Sequence, residues 1–443
     1  MKEDLTVGKA SRQIFKFALP MLVGNVFQQA YNLVDSAVVG RYIGKQALAA
    51  VGASFPIIFL LISLIIGVAT GATIMIAQFY GAGKMDKIKL TNSTLMIFLM
   101  AAAVVISFIG ITWTREIFKL IQLPEELMDQ ASIYLQVYLL GLVFFFGYNG
   151  IAAVLRGLGD SKTPLYFLIM ATLINIGLDL LFVIVFGFGV EGTAYATIIS
   201  QGIAFIAAII YLHRRDDIIQ FKFKDLKFDK ALYVQSIKIG LPSGLQATFV
   251  ALGMTAVLGI VNTFGTDVVA GYSVAIRLDA LATLPAMNFA AALTTFVGQN
   301  IGAGKMDRVN AGYRSTLLMS SIFSIVISII FYFFGPDLMR LFTNQESVIK
   351  VGVEYLIIVS SFYVIFSAMF ANNAVLRGAG DTLIPMIITL IALWVVRVPA
   401  SYFLSQKYGE VGIWWSLPLA WIIGLIFSYA YYKTGRWKRK KVV

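Results

Sequence analysis

The chain has 443 residues, none of them cysteine and one of them histidine, and only 13% are charged. Without cysteine there is no disulfide framework, no thiolate metal site and no cysteine nucleophile. The one histidine, His213, stands beside Arg214 and Arg215 at the end of an apolar run, a solvated interfacial position rather than a proton relay. A soluble domain carries about a quarter of charged residues. Their scarcity here excludes water as the main solvent.

What is present is apolar: 59% of the residues are hydrophobic and the mean hydropathy is +0.83. A bilayer core about 30 Å thick is crossed by roughly 20 apolar residues in a helix, and runs of that length recur along the chain. Alternating segments of about ten residues, the mark of a membrane β-barrel, are not visible. The expected fold is therefore all-α and polytopic, with spans near 17–40, 47–80, 91–113, 132–155, 164–186 and 193–212, then 239–264, 270–300, 315–335, 350–375, 383–404 and 411–432. The charged stretch from His213 to Lys238 divides the chain. This gives an N-terminal lobe of six helices (1–213), a charged linker (214–230) and a C-terminal lobe of six helices with a basic tail (231–443). The first run follows a basic start, is long and lacks a small-residue cleavage site, so a removed signal peptide is not expected.

The net charge of +12 belongs to topology rather than to nucleic acid. With the N-terminus placed in the cytoplasm and sides alternating, most of the 35 lysines and arginines fall in cytoplasmic loops and tails, as the positive-inside rule requires. Both termini are then cytoplasmic. The halves also repeat. Gly81-Ala82-Gly83-Lys84-Met85-Asp86 returns 221 residues later as Gly302-Ala303-Gly304-Lys305-Met306-Asp307, and Arg156-Gly157-Leu158-Gly159-Asp160 as Arg377-Gly378-Ala379-Gly380-Asp381. Pro20 and Pro242 lie 222 apart. Six spans per unit is an even number, so the repeat is parallel, with a pseudo-two-fold along the membrane normal, as transporters are commonly built.

Two motifs resemble enzyme signatures and fail. Gly81-Ala82-Gly83-Lys84 lacks the upstream glycine of a phosphate loop, and Met85 stands where a magnesium-binding Ser or Thr is needed. Arg156-Gly157-Leu158-Gly159-Asp160 follows no strand and reads as a helix end, stopped by glycine, with Arg156 and Arg377 favoured by the helix dipole. No nucleophile, base and orienter set appears, so neither an enzyme nor a cofactor is expected.

A carboxylate in hydrocarbon costs about 3 kcal/mol on insertion scales, which makes Asp35, Asp179 and Asp279 informative. Asp35 ends the stripe Asn25, Gln28, Asn32, Asp35, whose spacings put four polar side chains on one helical face. Thr172, Asn175 and Asp179 form another stripe, and Thr193, Thr197 and Gln201 a third. Counted by helical rise, Asp35, Asp179 and Thr197 all fall roughly 6–11 Å from the outer boundary. They suit a proton shared between two acids that resist ionising together, or a sodium ion held by hard oxygens. The second half has no copy of the pair: Asp35 aligns near Ala256 and Asp179 near Ala400. It carries Arg277, Asp279 and Arg397 instead. Positions 277 and 279 do not share a face, so a structural ion pair of Asp279 with Arg397 is expected.

Pro20, the stretch Asn32-Leu33-Val34-Asp35, the Gly-Ala-Gly-Lys pattern after the eighth span and the twin Arg-Gly-x-Gly-Asp motifs together resemble the multidrug and toxic compound extrusion (MATE) transporters, over essentially the whole chain. The resemblance implies two six-helix lobes and export of organic compounds, here cationic or neutral amphiphiles, in exchange for H+ or Na+. It assigns Asp35, Asn175, Asp179 and Thr197 to a cation site of the N-terminal lobe. It suggests Gln28 and Asn149 for the substrate cavity, with Asn32 on the same face as Gln28 and Met21 in an adaptable apolar wall. Pro20, which leaves a carbonyl without its helical donor, marks a hinge. The implied setting is the inner membrane of a prokaryote, with lipids and a small organic substrate as partners, no metal beyond a sodium ion and a functional monomer. A flippase for a lipid-linked precursor shares the fold, but its anionic head group calls for several cations in the cleft; an ion channel needs a continuous pore and no coupling site.

Overall fold

The computed structural model describes residues 3–215 and 226–443, so most of the expected linker lies outside the described residues. Those residues form helices joined by short turns. Nine helices are long and apolar enough to span a bilayer, and two more spans are pairs bent by 48° and 50°. The first helix, Ala10–Val38 continued by Val39–Ile43, makes the twelfth. Its polar stripe is what separates it in composition from the others.

In chain order the spans are α1 (Ala10–Val38 with Val39–Ile43), α2 (Lys45–Gly81), α3 (Met85–Thr112) and α4 (Glu125–Leu140 with Leu142–Gly157). After them come α5 (Lys162–Leu180 with Leu181–Val185), α6 (Val190–Arg215), α7 (Lys230–Val261 with Asn262–Phe264) and α8 (Thr266–Gly302). The last four are α9 (Met306–Arg340), α10 (Glu346–Ser360 with Tyr363–Gly378), α11 (Leu383–Leu390, Ile391–Arg397 and Val398–Tyr408) and α12 (Glu410–Thr434). Bilayer-facing sides are apolar: α9 is only 17% buried over its most apolar window and exposes Leu318, Ile322, Ile325, Ile329 and Phe333.

The repeat extends to the backbone. Gly44 and Gly265, Gly83 and Gly304, and Gly159 and Gly380 all take left-handed φ, from 71° to 119°, at a separation of 221 residues. Each Arg-Gly-x-Gly-Asp motif closes its helix in the same way, Asp160 N donating to Leu155 O at 2.9 Å and Asp381 N to Leu376 O at 3.0 Å. Left-handed glycine at that place satisfies carbonyls that the helix end leaves open, so the reading of the motif as a helix stop holds.

Packing divides the chain differently from its charge pattern. Among the described residues, one compact unit consists of Glu3 and those between 23 and 244, the other of residues 4–22 and 245–443. The first half of α1 therefore belongs to the C-terminal unit and the first half of α7 to the N-terminal one, instead of the division at 213 and 231 expected from the charged stretch. Within the C-terminal unit, Leu5 N donates to Gln299 Oε1, Asn300 Nδ2 to Leu5 O, and Arg308 to the carbonyls of Leu5, Val7 and Gly8. Within the N-terminal unit, Lys227 N and Asp229 N donate to Ser93 Oγ and Thr94 Oγ1. There α2 and α7 meet backbone to backbone: a Cβ on Gly67 would stand 2.6 Å from Gly244 N, and one on Gly71 would collide with Ser236 O. Small residues permit such approaches between membrane helices, where packing rather than water drives association.

Gly71→Ala is expected to lower the stability of the detergent-solubilised protein by about 1–3 kcal/mol, the usual cost of overpacking. Gly177→Ala, with nothing within 4 Å of the new methyl, is expected to cost nothing. Thermal unfolding of both variants beside the parent checks the contrast.

Candidate functional site

Two widened helical turns shape the outer end of the N-terminal unit. In α1, Gly44 N bonds Val39 O at 3.0 Å, and in α5, Phe186 N bonds Leu181 O at 3.0 Å. Both bonds skip five residues, the π-type turn that recurs at functional sites. The two turns pack on each other and on α6. Asp35 lies four residues before the first turn and Asp179 two before the second. The four residues expected to form a cation site thus come from three helices that meet here.

Thr197 on α6 is the hub of their hydrogen bonding. Its hydroxyl donates to Thr193 O at 3.0 Å, which leaves it an acceptor toward its other neighbours. Tyr31 Oη lies 2.9 Å away and Asn175 Nδ2 3.5 Å away, both as donors. Asp179 is fully buried, Asn175 and Thr197 are buried, and Asp35 is half-buried. The atoms left without partners are all acceptors: Asp35 Oδ1, Asn175 Oδ1 and both carboxylate oxygens of Asp179. Buried polar atoms are ordinarily satisfied, so this set fits a proton or a hard monovalent cation that these oxygens would hold.

The charge of Asp35 acts on Asp179 and on the hydroxyls of Tyr31, Tyr134 and Tyr138. These three tyrosines escaped the sequence reading. The available signals were the four-residue spacing of Tyr31 from Asp35 and of Tyr134 from Tyr138, each one helical turn.

The expected substrate-cavity residues have different local surroundings. Gln28 is half-buried, Asn32 is exposed with Nδ2 3.5 Å from Gln29 Oε1, and Asn149 spends its donor on Phe145 O at 2.8 Å. Met21 falls in the C-terminal unit, packed against its buried core. Pro20 lies inside α1, two residues before the chain passes from one unit to the other.

The expected ion pair of Asp279 with Arg397 does not form at contact distance. Asp279 Oδ1 accepts a 2.6 Å bond from Tyr363 Oη instead, and the attraction between Asp279 and Arg397 acts across a longer gap. Arg397 is buried, and Arg277 is exposed on another face of α8. A phenol on α10 reached the carboxylate that sequence reasoning had assigned to a guanidinium. Among the described residues no cluster of three or more histidine or acidic side chains could hold a metal ion.

Twelve spans in two repeated six-helix units, one holding an inward set of unmet acidic oxygens, define a polytopic membrane transporter. The sequence model of the MatE family matches twice, at residues 20–181 and 242–403, and the chain belongs to that family of multidrug efflux transporters. It is 34% identical over 440 residues to "Probable multidrug resistance protein YoeA" of Bacillus subtilis, covering 97% of this chain and 95% of the relative. It is 32% identical over 440 residues to "Probable multidrug resistance protein YpnP" of the same organism, covering 99% and 98%. Among solved structures, an outward-facing multidrug resistance MATE family transporter superposes with a TM-score of 0.91 at 24% identity, over 99% of this chain and 98% of that one.

Tyr31→Phe removes one bond to Thr197 and is expected to cost about 1 kcal/mol of stability. The same change at exposed Tyr195 is expected to stay within about 0.5 kcal/mol. Parallel thermal melts in sodium-free buffer separate the two.

Proposed function

We propose that the protein exports cationic or neutral amphiphilic organic compounds by antiport with H+ or Na+, the ion being carried by Asp35, Asn175, Asp179 and Thr197. The observation that supports this reading is the set of unpartnered acceptors at one place, with no donor left over among those four side chains. Two carboxylates are a costly glue between helices, so a structural role alone accounts for them poorly. The relatives' printed names speak of multidrug resistance, in line with an organic substrate.

Ion binding would change the charge at the outer end of α1. Pro20 lies fifteen residues, or about 22 Å, below Asp35, and a helix bends there at lower cost because one hydrogen bond is already missing. Loading with an ion would then move the Gln28 face and lower the affinity for substrate, the difference in affinity between the two states being the driving term. Both termini are cytoplasmic in this reading, in the plasma membrane of a prokaryote.

Asp35→Asn is expected to abolish gradient-driven efflux from proteoliposomes while leaving substrate binding intact, and Pro20→Ala to slow turnover while sparing ion binding. Wild-type efflux by Asp35→Asn eliminates the coupling role; imposing ΔpH and Na+ gradients separately identifies the ion. Because the chain lacks cysteine, single cysteines at Lys84 or Lys305 are expected to react with a membrane-impermeant maleimide only from the cytoplasmic side, and at Gln122 or Thr343 only from outside. The reverse pattern overturns the orientation.

A further inference from the structure

The C-terminal unit holds a buried cation that the antiport reading does not use. Arg397 ends the wide-turned segment Ile391–Arg397 of α11, is 6% exposed, and has its Nε without a hydrogen-bond partner. Among the described residues no carboxylate pairs with it at contact distance. The Tyr272 hydroxyl on α8 sits close to it without a bond of normal geometry. Tyr272 in turn stacks on Trp414 of α12, with ring centroids 5.3 Å apart and planes 7° from parallel, while Tyr355 meets both rings edge-on. The acid Asp279, whose charge acts on Arg397, accepts a bond from the Tyr363 hydroxyl.

The sequence repeat sharpens the contrast. Gly187 and Gly409, both with left-handed φ, lie 222 residues apart, and the same step carries Asn175 to Arg397 and Asp179 to Ser401. Where the N-terminal unit offers unmet acceptors, its repeat offers an unmet donor. Bringing a guanidinium into hydrocarbon costs about 3 kcal/mol on insertion scales, and its five N–H groups have no acceptor function of their own.

We propose that the C-terminal unit binds one small monovalent anion, a halide such as chloride, on the Arg397 guanidinium against the Tyr272 hydroxyl. The unmet N–H calls for an acceptor, and charge on that acceptor roughly doubles the strength of such a bond. Asp279 limits the charge: its carboxylate already offsets much of the guanidinium's positive field, which excludes a divalent anion and leaves room for a single small monovalent one held chiefly by the unmet N–H. This inference is independent of the cation reading, since it uses no residue of the N-terminal site.

The test is equilibrium binding of radiolabelled chloride to the purified full chain in sodium gluconate, with thermal melts at constant ionic strength as chloride replaces gluconate. Saturable binding near one chloride per chain, with a rise in melting temperature, is expected. Arg397→Gln should weaken binding at least tenfold and remove the rise, Arg397→Lys should retain part of it, and Asp35→Asn should bind as the parent does. Should Arg397→Gln fail to fold, the lysine variant and Tyr272→Phe carry the comparison. Absence of saturable binding in the parent overturns the proposal and leaves the gap to water; saturable binding insensitive to Arg397 and Tyr272 substitution overturns it equally.

Discussion

Hydrocarbon offers no hydrogen-bond partner, so each polar group carried into the bilayer has to be met by the protein itself or by something the protein holds. Backbone groups meet the condition through helices, and hydroxyls return their protons to carbonyls one turn back, as Thr73 and Thr197 do. Even the bend in α10 obeys it, since Ser328 and Ser324 donate to the Ser360 and Tyr363 carbonyls on either side of the break. Against that pairing the unmet atoms matter where they cluster or carry charge. In one unit four of them lie on Asp35, Asn175 and Asp179, and in the other the Nε atoms of Arg377 and Arg397 are among them, while others sit singly on residues such as Gln130, Thr316 and Asn372.

The meeting of Asp35, Asn175, Asp179 and Thr197 on neighbouring helices was legible because helical periodicity converts spacing into a shared face, and because acids in a span are rare enough to notice. Asn175 and Asp179 are one turn apart, and counting rise put Asp35 and Thr197 at similar depth. The repeat was legible for a different reason. Its glycines occupy left-handed turns that a residue with a side chain enters only with strain, so the motif marks geometry directly. Twelve spans followed from hydropathy, although α4 and α10 turned out bent at Gly141 and near Ser361, positions that no charge or proline flags.

What escaped was decided by packing. Tyrosines are common in apolar helices, so Tyr31, Tyr134 and Tyr138 gave no signal until folding brought them within the field of the Asp35 carboxylate. The pairing of Asp279 depended on whether Tyr363 or Arg397 came nearer, which spacing along separate helices leaves open. The compact units end elsewhere than the charged stretch because charge marks where the chain meets water. Close backbone approach of Gly67 and Gly71 to Gly240 and Gly244 marks where helices adhere, and that criterion puts 230–244 with the N-terminal unit.

The exchange of helix halves bears on how the protein is made. A ribosome delivers residues 4–22 first, yet their packing surface in α8, which includes Phe289, Leu293 and Phe296, is not synthesised until after residue 265. At roughly 5–20 residues per second, that interval lasts on the order of tens of seconds. During it the leading half of α1 has entered the membrane without its own neighbours. The N-terminal unit is likewise incomplete until residue 244 emerges. Insertion and assembly are therefore separated in time, and the early helix depends on lipid or on the insertion machinery to hold it until the second half of the chain arrives.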